Sequence, residues 1–324
     1  MKSNEGILIF RDRIIQMYKM YDKVFRAMAK FIGTLYILLE MNSVMGYSSV
    51  FGKSYVIAAL ACVCAILPAQ FIIPVVMIVV GANILSFNLY MGIGSLVIFL
   101  CMYVFFIRLY PRESLLMIIV LIGFKFNLHY AITIIAALFG GFSSIIAILI
   151  GILGVFSIAR IEPIIQATLQ GEDSLTLFTQ SLDLFMEQVI HNPTILATMS
   201  VLLIVFCIVY VVRIQKIDYA PYVAIVIGGA MNILGFIMAI LFLDIPVNVL
   251  LLITMSIISI GIASMIQFMA KTLDYSRSES VQFEDDDNYY FVKVVPKIKT
   301  KKDYSKVEKV YTGNKQNELF EIEE

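Results

Sequence analysis

Lys125, Asn127 and His129 alternate with apolar residues in the turn Lys125-Phe126-Asn127-Leu128-His129, which interrupts a long apolar stretch. An ammonium, an amide and an imidazole so close together offer three kinds of chemistry. The ammonium attracts an anion or, once desolvated, gives up its proton. The amide hydrogen-bonds a polar solute, and the imidazole relays protons near neutral pH. A second interruption, Pro68-Ala69-Gln70, separates the apolar runs 55–67 and 70–86. Polar groups at membrane depth are costly, and by default they mark a substrate or ion path. Pro68, Gln70, Lys125, Asn127 and His129 therefore form the candidate path. A plainer reading stands beside it: the turn reaches the membrane interface, where Lys125 snorkels and His129 sits among headgroups.

The elements that hold these residues are apolar helices. The chain is 60% hydrophobic and 15% charged, with mean hydropathy +0.90. Soluble domains carry about 45–50% apolar and about 25% charged residues. Between residues 31 and 270 there are only seven Lys/Arg and nine Asp/Glu, a stretch that lipid alone solvates. The expected fold is an all-α polytopic membrane bundle. Its six full spans lie at about 28–45, 88–107, 143–159, 195–212, 219–242 and 247–268. Two short broken-helix hairpins, 55–86 and 114–142, bring the count of membrane segments to as many as ten. An arm of 13 residues rises about 20 Å against a hydrocarbon core of about 30 Å, which favours re-entry over crossing.

Charge orients the bundle. Residues 1–30 carry seven Lys/Arg, the loops at 108–113 and 213–218 two each, and the tail 271–324 ten. Lys/Arg enrichment marks the cytoplasmic side, so both termini are expected inside a cell membrane. The first hairpin then enters from outside and the second from inside. Units 54–111 and 113–163 become candidate inverted repeats, closing on Arg108-Leu109-Tyr110-Pro111 and Arg160-Ile161-Glu162-Pro163. Many transporters are built from such repeats. Glu40 and Asp244 read as interfacial, and Asn83, Asn88, Asn232 and Asn248 as helix-to-helix hydrogen bonders.

Residues 1–30 include a basic amphipathic helix suited to an anionic inner leaflet. Residues 174–190 form a second amphipathic helix, outside, with Leu175, Phe178, Leu182, Phe185, Met186 and Val189 on one face. It either covers the bundle or serves as a gate or docking surface. The tail 271–324 is expected to be disordered. Within it Tyr289, Tyr290, Phe291, Val292 and Val294 have strong β character, and they are the candidate binding segment for a cytosolic or membrane protein partner, added as a strand to its sheet. The tail lysines suit anionic lipid.

Several functions are set aside. The sequence has no Gly-x-Ser-x-Gly, His-Glu-x-x-His or Walker loop, so no enzyme is expected. Two histidines far apart, and four cysteines inside apolar runs, predict no catalytic centre, metal site or cofactor. Zero net charge gives no reason to expect nucleic acid. The stretch Lys271-Thr272-Leu273-Asp274-Tyr275-Ser276-Arg277 with the following tail resembles a group of uncharacterised multi-spanning membrane proteins of Gram-positive bacteria. That resemblance implies a bacterial plasma membrane and no particular activity. Two functions remain: a permease for a small solute or ion (or a membrane subunit of a transporter), and a non-enzymatic scaffold recruiting a partner through its tail.

Overall fold

The computed structural model describes residues 2–45, 48, 50–87, 89–168, 174–270, 279–284 and 289–295. Among them are twelve α-helices and one β-hairpin. In order they are α1 Lys2–Met20, α2 Asp22–Met45, α3 Ser54–Ile66, α4 Ile72–Phe87, α5 Leu89–Met102, α6 Ser114–Lys125 and α7 His129–Phe139. There follow α8 Ser144–Thr168, α9 Ser174–Phe185, α10 Pro193–Ile214, α11 Ala220–Leu243 and α12 Val249–Ala270. Strands β1 Glu279–Glu284 and β2 Tyr289–Val294 close the described chain. The all-α expectation holds. Five helical segments are long and apolar enough to cross a membrane: Ala69–Ser86, Ser144–Ile161, Pro193–Ile214, Ala220–Leu243 and Val249–Ala270. Four of these lie at the spans expected at 143–159, 195–212, 219–242 and 247–268, while Ala69–Ser86 was expected as a hairpin arm. The span expected at 28–45 falls on α2, which carries Lys30 and Glu40, and that at 88–107 includes the shorter apolar helix Met91–Ile107.

Helix α2 serves as a ruler for the first break. Lys30 Nζ donates to Leu67 O (2.7 Å), which fixes the end of α3 beside the start of the apolar part of α2. At the other end, Ser48 N donates to Asn83 Oδ1 (3.0 Å), tying the far end of α4 to the loop after α2. Helices α3 and α4 therefore each run the length of α2 between Lys30 and Met45, about 22 Å. Pro68 and Gln70 lie at the Lys30 end of α2, where the pair 55–86, expected as a short re-entrant hairpin, turns. A 13-residue arm is short against a bilayer, but it is as long as the apolar segment it packs on.

The second break behaves differently. Ser144 Oγ donates to Glu113 Oε2 (2.6 Å), placing the α7–α8 loop beside the start of α6. The guanidinium of Arg213, at the end of α10, donates to Leu138 O and to Gly140 O (3.0 Å to the latter). The 3₁₀ turn Ala69–Phe71 packs on α6 as well, so all these ends share one end of the bundle. From there α6 and α7 rise about 18 Å and turn back. Their tip meets α8 at Phe156, whose ring lies 6.0 Å from that of Phe124. Phe156 is only halfway along the 25 residues of α8. The hairpin joins the two cores. Met117 and Ile118 of α6 enter the core of α2–α5, while Val120 of α6 and Ile134 and Ala137 of α7 sit in the core shared with α10–α12.

The expected repeat is not matched in packing. Helix α4 lies chiefly along α5 in the first unit, and α6 chiefly along α8 in the second. The two Arg-x-x-Pro closings also part ways. Arg108–Pro111 leaves the helix for a turn, while α8 continues through Arg160 and Pro163 to Thr168.

At the N-terminus the expected single amphipathic helix bends at Tyr21 and continues as α2, with hydrogen bonding carried across by Tyr21 N to Met17 O (3.2 Å) and Phe25 N to Tyr21 O (3.0 Å). Arg11 is buried, its guanidinium 5.9 Å from the Phe268 ring at the end of α12. Phe10, Ile14, Met17, Tyr21, Phe25 and Met28 remain exposed along one stripe. The tail corrects the expectation of disorder for its described residues. Strands β1 and β2 pair antiparallel, with Val281 opposite Val292 and Phe283 opposite Tyr290. The β-prone segment thus finds its first partner within its own chain, because a short connection closes at small entropic cost.

Candidate functional site

The tip of the α6–α7 hairpin is built by a Schellman ending to α6. Leu128 N donates to Gly123 O (2.7 Å) and Asn127 N to Phe124 O (3.1 Å), with Asn127 in the left-handed region at φ 55°. Only glycine and asparagine adopt that conformation readily at a helix end, which gives Asn127 a backbone role that its spacing from Lys125 did not announce. Asn127→Gly is expected to leave thermal stability within about 0.5 kcal/mol, whereas Asn127→Val costs about 1–2 kcal/mol, measured by unfolding in micelles. Gly123 completes the tip. A Cβ there would fall 1.9 Å from Ile132 Cδ1, so any larger residue must push the end of that side chain aside.

This ending carries Lys125 to α2, where Nζ lies 2.5 Å from Glu40 Oε1. The two ionic groups border a cavity of about 470 Å³ between α2, the hairpin tip and α8, lined also by Tyr36, Asn127 and Phe156. Both side chains keep access to it, Lys125 at 58% and Glu40 at 38% exposure. The structure therefore brings together Lys125 and Asn127 and adds Glu40, which composition marked only as interfacial. A sequence signal did exist, since Glu40 and Lys125 are a lone acid and a lone base set in apolar runs, and such groups pair.

The other candidates lie elsewhere. His129 opens α7 on the far side of the tip, buried, with its ring stacked 4.2 Å from Phe124 and 4.0 Å from Tyr130. Its Nδ1 has no hydrogen-bond partner among the described residues, and it does not border the cavity. Pro68 is exposed and Gln70 half-buried at the Lys30 end of α2, about 15 Å along that helix from Glu40. The two turns do not share one site.

The asparagines also divide. Asn83 links α4 to the Ser48 loop and donates to Val79 O (2.9 Å). Asn248 caps α12 by accepting from Leu250 N (3.0 Å) and Leu251 N (3.3 Å), so it is a helix start and not a bridge. Asn232 is fully buried with neither amide atom partnered among the described residues, and Asn88 lies outside them. Of the tail candidates, Tyr289, Tyr290, Phe291, Val292 and Val294 are all exposed on β2.

Comparison of the chain with protein-family models, with curated proteins and with solved structures finds no match.

Proposed function

We propose that this chain is a multi-pass membrane protein of permease type, or the membrane subunit of a transporter, with both termini on the cytoplasmic side of a plasma membrane. The observation that carries the reading is the half-length α6–α7 hairpin, wedged between two cores and with an ion pair at a cavity on its tip. Such broken, half-depth helices tolerate their exposed backbone ends only where these are buried in protein or border a cavity, and transporters use them to bind cargo. The membrane itself is supported by an apolar exterior, with Phe105, Leu241, Phe242 and Leu250 each at least 70% exposed. Orientation follows from Lys30, Arg108, Arg112, Arg213 and Lys216, which gather at the end from which the hairpin rises. Eight crossings, α2–α5, α8 and α10–α12, with one re-entrant hairpin satisfy that orientation. The exposed stripe of α1 lies on the inner leaflet.

Membrane-impermeant maleimide tests the topology in protein freed of its native cysteines. Arg112→Cys and Gly141→Cys are expected to label from the same, inner face, and Phe51→Cys and Pro68→Cys from opposite faces. Labelling of Arg112→Cys and Gly141→Cys from opposite faces defeats the hairpin.

One observation favours the scaffold reading. An isolated two-stranded hairpin is marginal in water, and β2 presents Phe291 at 78% exposure. A partner strand on that edge would complete it. The two readings separate by variant. A permease loses its effect on cellular solute content with Lys125→Ala and keeps it when the chain ends at Ala270. A scaffold does the reverse, and its partner co-purifies only with the full-length chain.

A further inference from the structure

Asn232 sits at the midpoint of α11, twelve residues from Ala220 and eleven from Leu243, about 17 Å from either end. It is wholly buried, and neither Oδ1 nor Nδ2 has a partner among the described residues. Ser256 of α12 is also wholly buried, and its Oγ is likewise unpartnered there. Other buried hydroxyls of these helices are spent on their own backbone. Thr133 donates to His129 O (2.9 Å), Thr198 to Thr194 O (2.7 Å) and Ser259 to Met255 O (2.7 Å). That back-bond, to the carbonyl four residues earlier, is the usual outlet for a hydroxyl inside a helix, and Ser256 does not take it.

The packing brings the two side chains to one place. A Cβ at Gly229 would run into the end of the Ile260 side chain, so α11 and α12 meet there. The two helices pack on each other and are joined by the short loop 244–248, which makes them antiparallel. Toward that loop, Asn232 stands three residues on from Gly229, about 4.5 Å, and Ser256 four residues back from Ile260, about 6 Å, so they share one level. Asn232 also faces α7. A Cβ at Gly228 would lie 3.2 Å from Ile134 Cγ1, and the Phe236 ring stands 5.3 Å from that of Tyr130. Residues four before and four after Asn232 thus both meet α7, and Asn232 projects between them. Helices α7, α11 and α12 pack on one another in all three pairs, so the amide and the hydroxyl meet where the three join.

The three polar atoms ask for one kind of ligand. Nδ2 has two protons to give, Oδ1 only accepts, and the hydroxyl does either. A cation would leave the Nδ2 protons unmet, and an anion would leave Oδ1 unmet. Helices α7, α11 and α12 also carry no Asp, Glu, Lys or Arg to balance an ion. Water donates and accepts, is the smallest such ligand, and is held by two to four polar groups, of which three are present.

We propose that Asn232 and Ser256 hold a buried water that bridges α11 to α12 against α7 at mid-depth. The site is apart from the cavity at Lys125 and does not depend on the permease reading.

The experiment is microsecond X-ray hydroxyl-radical footprinting of the full-length protein in micelles made up in oxygen-18 water. Radiolysis of a bound water oxidises the side chains beside it and spares those enclosed by protein alone. Phe236, one turn from Asn232, and Phe206, in the same core, are both buried from bulk water. Phe236 is expected to take up oxygen-18 about fivefold faster than Phe206, to fall to the Phe206 rate in Asn232→Leu, and to fall partway in Ser256→Ala. Equal rates at the two phenylalanines in the unaltered protein overturn the proposal, as does undiminished labelling of Phe236 in folded Asn232→Leu protein. Thermal unfolding tests the bridge. Ser256→Ala is expected to lower the midpoint by about 2 °C in the unaltered protein and hardly at all in the Asn232→Leu background, where the bridge is already gone. Equal shifts in the two backgrounds overturn the bridge. Should Asn232→Leu not fold, the rates at Phe236 and Phe206 in the unaltered and Ser256→Ala proteins decide it.

Discussion

Gly92→Ala is expected to destabilise the bundle by about 2 kcal/mol, while Gly261→Ala stabilises it by about 0.5–1 kcal/mol. The two glycines are each in the interior of a helix, so removing backbone freedom from the unfolded chain favours alanine equally at both. The native surroundings differ. A Cβ at Gly92 would fall 2.5 Å from the backbone Cα of Leu85 and 2.4 Å from its Cγ, and a backbone atom cannot rotate away. A Cβ at Gly261 meets nothing within 4 Å. Gly81 makes the reciprocal contact with Leu96, so α4 and α5 interlock through one glycine each. Thermal unfolding of both variants in the same micelle measures the difference. Equal shifts of one sign would show that α4 and α5 do not approach this closely.

How much of this was legible in the sequence depends on which contacts decide each question. That 114–142 is a pair of half-length arms was legible, because both arms are bounded by polar turns and neither is long enough to cross. The same argument decides less at 55–86. Pro68 breaks a helix equally well at mid-depth or at an interface, and the residue before a proline is extended in either case, as Leu67 is at ψ 154°. Only the bond from Lys30 to Leu67 distinguishes the two, and it joins residues 37 positions apart. The Arg-x-x-Pro closings misled for a related reason. Proline inside an apolar helix is tolerated when neighbours satisfy the freed carbonyl, so Pro163 did not end α8. The tail was read by composition, which sees polar residues between charges. Composition does not see that Val281-Gln282-Phe283 alternates in phase with Tyr290-Phe291-Val292.

The site was half legible. Lys125 and Asn127 were found because they are polar in an apolar run, but that criterion does not separate a ligand-facing group from a backbone device. The left-handed φ of Asn127 and the buried stacking of His129 are set by the turn geometry and by Phe124 and Tyr130. The apolar cavity lined by α2, α4, α5, α6, α8 and α9 was not legible at all. Its wall residues are mostly the commonest apolar types, and what makes the cavity is the space that those side chains leave unfilled.

Arg213→Ala is expected to cost about 3 kcal/mol and to free the base of the α6–α7 hairpin. Arg213 was legible only as a charge that sets orientation. In the fold its guanidinium donates to the carbonyls of Leu138 and Gly140, which close α7, and lies 4.8 Å over the ring of Tyr210. Tyr210 in turn packs edge-on to Phe142 at 6.2 Å. The end of α10 thereby holds the α7–α8 loop through two hydrogen bonds and one aromatic contact, with Arg213 itself braced on Tyr210. Truncation leaves two carbonyls without their charged donor, each worth about 1–3 kcal/mol when stranded. Arg213→Lys keeps the charge and the orientation signal, but a point ammonium does not reproduce the planar fork that reaches two acceptors at once. It is therefore expected to recover less than half of the loss. Thermal unfolding gives the magnitude, and maleimide labelling of Gly141→Cys in the Arg213→Ala background gives the location. The loop should label faster while a cysteine at Phe51, at the opposite end, is unchanged. Full rescue by lysine would mean that Arg213 acts through charge alone, and the hairpin would then need another anchor for its base.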